Sequence, residues 1–106
     1  MRTLTYEVKG QRLVPVGNHN GIVAGTKGYL KAKFICDNDW KGCKLAASFF
    51  VNGVEEHAVL LETDGSCMIP EEALTGSFFE VSLEGRRENY TITSRRVRER
   101  QIGGVK

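Results

Sequence analysis

The chain has 106 residues, the size of one domain built around one core. Apolar residues make up 41% and charged residues 26%, and the apolar ones fall in patterned runs, so a globular rather than a disordered chain is expected. No run of apolar residues is long enough for a membrane-spanning helix, and Met1–Gly10 lacks the apolar region of a secretory signal. A cytoplasmic origin is therefore expected.

The net charge of +2 hides a pattern. Residues 1–36 carry six basic and one acidic side chain, 37–84 carry two basic and ten acidic, and 85–106 carry seven basic and two acidic. Two readings stand. The ends pair with the middle as neighbouring strands, or the regions meet complementary patches on other subunits and set register in an assembly.

Taken in chain order, the elements are strands with a side-chain period of two. Leu4–Val8 and Arg12–Val16 flank Lys9-Gly10-Gln11. In 29–36, Leu30, Ala32, Phe34 and Cys36 share a face opposite Lys31 and Lys33. In 44–51, Leu45, Ala47, Phe49 and Val51 share a face. Asn52-Gly53 separates that run from Val54–Leu61, and Asp64-Gly65 separates the latter from Ser66–Ile69. Both dipeptides suit two-residue hairpins, where the turn needs positive φ. Pro70-Glu71-Glu72-Ala73-Leu74 is the one helical candidate, a single turn near 70–75 with Leu74 capping the core. In 78–84, Phe79, Val81 and Leu83 face one way, and Gly85–Glu88 separates this strand from Asn89–Thr93. About seven to nine short strands at this spacing predict an all-β antiparallel sandwich over 1–100. Residues 101–106, with Gly103-Gly104, are expected to form a flexible tail.

Trp40 sits in the polar connection Cys36–Cys43. It either closes one end of the sandwich or stands exposed, with Lys41, as an anchor for a partner.

The residues that carry chemistry elsewhere are poorly placed here. Cys36, Cys43, Cys67, His19 and His57 form no CxxC or HxxxH, and six residues separate Cys36 from Cys43, outside the zinc-knuckle spacing. No metal or other cofactor is expected. An odd cysteine count predicts reduced thiols, at least two of them buried. Cys43 or Ser66 with His57 is the only imaginable dyad, without a nucleophile elbow; His57 reads as a half-buried strand residue. Glu55-Glu56 and Glu71-Glu72 are adjacent pairs, which strand geometry points to opposite faces. Gly-Asn-His-Asn-Gly at 17–21 lacks the Lys-Ser/Thr of a phosphate loop. No enzyme activity is expected. Arg95, Arg96, Arg98 and Arg100 are the strongest binding signal. On a strand, Arg96, Arg98 and Arg100 line one face and could follow a phosphate backbone, yet few aromatics are interleaved for stacking.

One resemblance runs through about residues 20–100. It is carried by Ile22–Gly28, Leu30–Phe34, Asp39-Trp40-Lys41-Gly42, Lys44–Phe49, Asp64–Pro70, Glu72-Ala73-Leu74 and Phe79–Gly85. In this order they resemble small structural proteins of phages and prophages of Gram-positive bacteria, in particular the Ig-like β-sandwich that begins baseplate and tail-fibre proteins. The resemblance implies a virion location, host cytoplasm during assembly, and no catalysis. It also implies self-association or contacts with other virion proteins, in a tail, baseplate or capsid setting. Nucleic acid, through the arginine strand, is the alternative partner; no membrane partner is expected.

Overall fold

The computed structural model describes residues 1–103, the Glu56 side chain excepted. Ten strands alternate with two 3-10 turns. The strands are β1 (Arg2–Lys9), β2 (Arg12–Val16), β3 (Ile22–Val23), β4 (Leu30–Cys36), β5 (Lys44–Val51), β6 (Val54–Leu60), β7 (Ser66–Met68), β8 (Phe78–Arg87), β9 (Tyr90–Thr93) and β10 (Val97–Ile102). One sheet has the order β2-β1-β4-β7; the other has β3-β10-β8-β5-β6, with β9 also on β8. The all-β sandwich is as expected, with one strand more than the upper expectation and a second 3-10 turn at Asn38–Trp40.

The two layers close because β1, β4, β5 and β8 turn alternate residues inward. Leu4, Tyr6 and Val8 of β1 and Leu30, Ala32 and Phe34 of β4 face Ala47 and Phe49 of β5 and Phe79, Val81 and Leu83 of β8. Each of the larger of these, the leucines, valines and phenylalanines, contributes roughly 1.5–3 kcal/mol by leaving water. Tyr6 lies beside Phe34 in register, their rings stacked at 5.3 Å.

Pairing departs from the expected antiparallel scheme twice. β1 runs parallel to β4 from Arg2 beside Leu30 to Val8 beside Cys36, and β3 runs parallel to β10. Parallel neighbours need a long crossover. The β2 hairpin, β3 and the loops around them supply it.

Of the expected turns, Asn52-Gly53 holds. Both residues have positive φ, and Val51 pairs with Val54 across a two-residue turn. Asp64-Gly65 is not a hairpin, because β6 and β7 lie in different sheets. It is a sheet-to-sheet corner. The Asp64 carboxylate accepts from the Ser66 N–H and hydroxyl at 3.1 and 2.7 Å. The Gly65 carbonyl accepts from Phe34 N at 2.9 Å. Gly65 has φ +81°, and a Cβ there would stand 2.9 Å from the Phe34 carbonyl oxygen.

Gly85, expected to open a turn, lies inside β8, which continues to Arg87. The strand carries no side chain there because Trp40 occupies the space. A Cβ on Gly85 would meet Trp40 Cε3 at 2.9 Å and Cys43 Cβ at 3.0 Å.

β10 extends through Ile102, with Gln101 beside Ile22, so two residues of the expected tail belong to the sheet. Residues 104–106 of that tail lie outside the described residues. Leu74 is buried as expected.

All three cysteines are free. Cys67 is buried, whereas Cys36 and Cys43 are half-buried, fewer fully buried thiols than expected. Burial pushes the Cys36 and Cys67 thiols up to about 11. His57 is exposed rather than half-buried, on the edge strand β6; its Nε2 lies 3.1 Å from Glu72. No helix of the described residues is long and apolar enough to cross a membrane.

Candidate interaction surface

β9 and β10 lie end to end along the same edge of β8. β9 pairs with Glu84–Arg87, and β10 pairs with 78–81. The break between them falls at Ser94–Arg96, and the β1–β2 turn plugs it. Gln11 Nε2 donates to the Thr93 carbonyl at 3.0 Å, and Arg95 N donates to the Gln11 carbonyl at 2.8 Å. Ser94 Oγ accepts from Leu83 N at 2.9 Å, taking the ladder's place for one residue.

This break sorts the predicted arginines. Arg95 lies in the break and is not part of the row. Beyond it the chain resumes alternation: Arg96, Arg98 and Arg100 are exposed, while Val97, Glu99 and Gln101 turn toward the interior. The predicted row is therefore present on the outer face of the six-stranded sheet.

The row rests on aromatic supports that the periodicity of β10 could not reveal. The Arg96 guanidinium lies 3.7 Å over the Phe50 ring, and that of Arg98 lies 4.0 Å over Phe78. Such stacking contributes about 0.5–1 kcal/mol at exposed sites. Glu80 of β8 stands between them, 3.6 Å from Arg96 and 3.5 Å from Arg98. Acidic middle and basic end thus neutralise one another here, as the first reading of the charge pattern expects. The neutralisation is incomplete. Two guanidinium groups share one carboxylate, and Arg95 and Arg100 have no ion-pair partner among the described residues.

Behind the row is a polar cluster missed in the sequence. Glu99, buried, reaches into the sandwich. Its Oε2 accepts from the Tyr6 hydroxyl at 2.5 Å and lies 2.6 Å from His19 Nδ1. His19 Nε2 faces the carbonyls of Thr5 and Val16 at 3.0 and 3.1 Å and donates there. Burial, and then the Glu99 charge, push the Tyr6 phenol well above its usual range. The available signal was parity: Glu99 alternates with exposed arginines and must point inward.

Trp40 and Lys41 do not join the row. Trp40 is 2% exposed and its Nε1 donates to the Gly10 carbonyl at 2.8 Å. It closes the end of the sandwich, as one reading held, and leaves no ring for a partner. Asp37 fixes its 3-10 turn by accepting from Asp39 N at 3.0 Å and from Gly10 N at 2.8 Å. Lys41 is exposed, and its carbonyl accepts from Arg87, at the far end of β8 from Arg98 and Arg100. Among the described residues no three His, Cys, Asp or Glu side chains converge as a metal site would require.

Two mixed sheets, one bearing an arginine row on its outer face, define a β-sandwich. A solved structure shares this fold. The chain is similar to the N-terminal domain of phage TP901-1 ORF48, with a TM-score of 0.59 and 12% identity over 99% of this chain and 100% of that one. No protein-family model matches the chain. No curated protein matches it by sequence.

Proposed function

We propose that the chain is a non-enzymatic structural module of a phage or prophage particle, working through protein–protein contacts on the outer face of its six-stranded sheet. The observation that carries this reading is the fold likeness to a phage protein's domain, which extends over essentially the whole of both chains. The surface is consistent with it. Arg96 and Arg98 are held in place over phenyl rings, so less side-chain entropy is lost when a partner docks. Arginine and aromatic groups are the residue types that dominate such contacts. The finer setting proposed is an Ig-like sandwich in the tail, baseplate or capsid of a phage of Gram-positive bacteria, made in the host cytoplasm. Mass spectrometry of purified particles from a host carrying the gene tests this. Peptides of this chain at a fixed ratio to the major structural proteins are expected; particles without them would contradict it.

The arginine row also favours a second reading, in which it tracks a nucleic-acid backbone. The rings beneath the row are already covered by guanidinium groups and offer no open face for base stacking. Oligonucleotide anisotropy at about 0.05 M salt separates the two readings. No change is expected, and salt-sensitive binding would favour nucleic acid.

A further inference from the structure

The six-stranded sheet is electrically polarised across its width. Toward one margin, β10 presents Arg98 and Arg100; Arg96, just before β10, reaches across β8 to lie over Phe50 of β5, the cross-strand neighbour of Glu55, and is not part of this margin. At the other margin β6 presents exposed Glu55, with exposed Glu62 following it and Glu72 beside His57. In the order β10-β8-β5-β6 these margins are three strand spacings apart, about 14 Å. That exceeds the screening length of about 8 Å at physiological salt, so the two margins do little to neutralise one another within one copy.

The acidic margin is also an open edge. β6 pairs with β5 on one side only and leaves its other row of backbone groups unpaired by any described strand. It carries Val54 and Leu60, 61% and 73% exposed, and none of the lysines or prolines that commonly blunt an edge. A partner for this edge needs basic side chains and some apolar surface. The arginine margin of the same molecule supplies the charge, and Ile102 at the end of β10, 57% exposed, supplies apolar surface.

From this polarity we infer that copies of the chain associate head to tail, the Arg98–Arg100 margin of one copy against the Glu55–Glu62 margin of the next. The inference rests on the structural-module reading and names a second copy as the partner. Such an interface is heterologous: it leaves one margin of each kind free at the ends and propagates until it closes into a ring or continues as a filament.

Sedimentation velocity on the whole chain over a wide concentration range tests it. At about 0.01 M salt the average mass should rise with concentration, and at about 1 M it should return to the monomer. Arg98→Glu with Arg100→Glu makes both margins acidic; Glu55→Lys with Glu62→Lys makes both basic. Each variant alone should associate at least about tenfold more weakly. An equimolar mixture of the two, each shown by circular dichroism to be folded, should recover association. A monomer at every concentration and salt, association indifferent to either reversal, or a mixture that fails to recover would overturn the inference. The unmodified chain's salt dependence decides the matter if a variant does not fold. A monomeric chain that is nonetheless found in purified particles would overturn the head-to-tail contact alone and leave the structural-module reading standing.

Discussion

Glu99 Oε2 lies 2.6 Å from His19 Nδ1, joining residues 80 positions apart in the chain. The same oxygen accepts from the Tyr6 hydroxyl, so one carboxylate on β10 bolts the outer sheet to β1 of the other sheet and to the 17–21 loop. Replacing all three groups by apolar residues of similar shape need not cost stability, because burying the charge is itself expensive. Removing one partner is different. Glu99→Ala leaves the buried phenol without its acceptor and removes the partner of His19 Nδ1, and is expected to cost about 3–5 kcal/mol. Denaturant unfolding of Glu99→Ala, Tyr6→Phe and the double variant checks this. The two costs are expected to be clearly non-additive, since the hydroxyl and the carboxylate meet directly.

Tyr6 gives the fold an alkaline limit. Its phenol is raised in the folded chain, first by burial and then by Glu99, so the ionised form is disfavoured there relative to the unfolded chain. The corresponding stability is fully present below the unfolded value of about 10 and is lost as pH rises above it. Absorbance near the phenolate band should show Tyr6 ionising only together with loss of the near-ultraviolet dichroism. In Glu99→Gln the phenol should still resist ionisation, because burial is the larger cause.

Gly85 and Trp40 approach each other closely. A methyl group on Gly85 would stand 2.9 Å from the indole and 3.0 Å from Cys43 Cβ, and the indole is buried and tied to the Gly10 carbonyl. Gly85→Ala is expected to cost about 1–3 kcal/mol. Tryptophan emission should shift to longer wavelength as the indole is displaced from its bond to the Gly10 carbonyl. An unshifted spectrum with unchanged stability would contradict this packing.

Several features were legible in the sequence because they are local. Alternation placed Phe34, Phe49 and Phe79 inside, and the same count put Arg96, Arg98 and Arg100 on one exposed face. The parallel pairing of β1 with β4 was not legible, since a parallel and an antiparallel strand share one side-chain period. Asp64-Gly65 has the composition of a hairpin turn and is a corner between sheets. What decides is the partner of β7, and that partner is β4, more than thirty residues earlier. Gly85 reads as a turn residue, yet it is a strand residue without a side chain because Trp40 lies against it. His19 and Glu99 were both visible; their meeting depends on the crossover that brings 17–21 beside β10.

Asp64 offers an acid-side test of the corner. The Ser66 hydroxyl is the main cause holding its carboxyl below the usual carboxylate value, with smaller help from Lys31 and Lys33. A lowered value in the fold means that this contribution is present above the unfolded value of about 3.9 and is lost only as pH falls through the folded one. Carboxyl-carbon NMR should find the Asp64 midpoint below 3.9, and Ser66→Ala should move it upward. A Ser66→Ala chain with an unmoved midpoint would assign the shift to another cause.

The claim most exposed to test is that the arginine face of β10 works in protein assembly. Introducing Arg98→Glu with Arg100→Glu into the gene in the phage or prophage proposed to carry it, and counting complete infectious particles, tests it directly. The expected result is a loss of complete particles with the variant protein still folded and soluble in the host. Particles assembled in undiminished number, carrying the variant chain at its normal ratio, would contradict it.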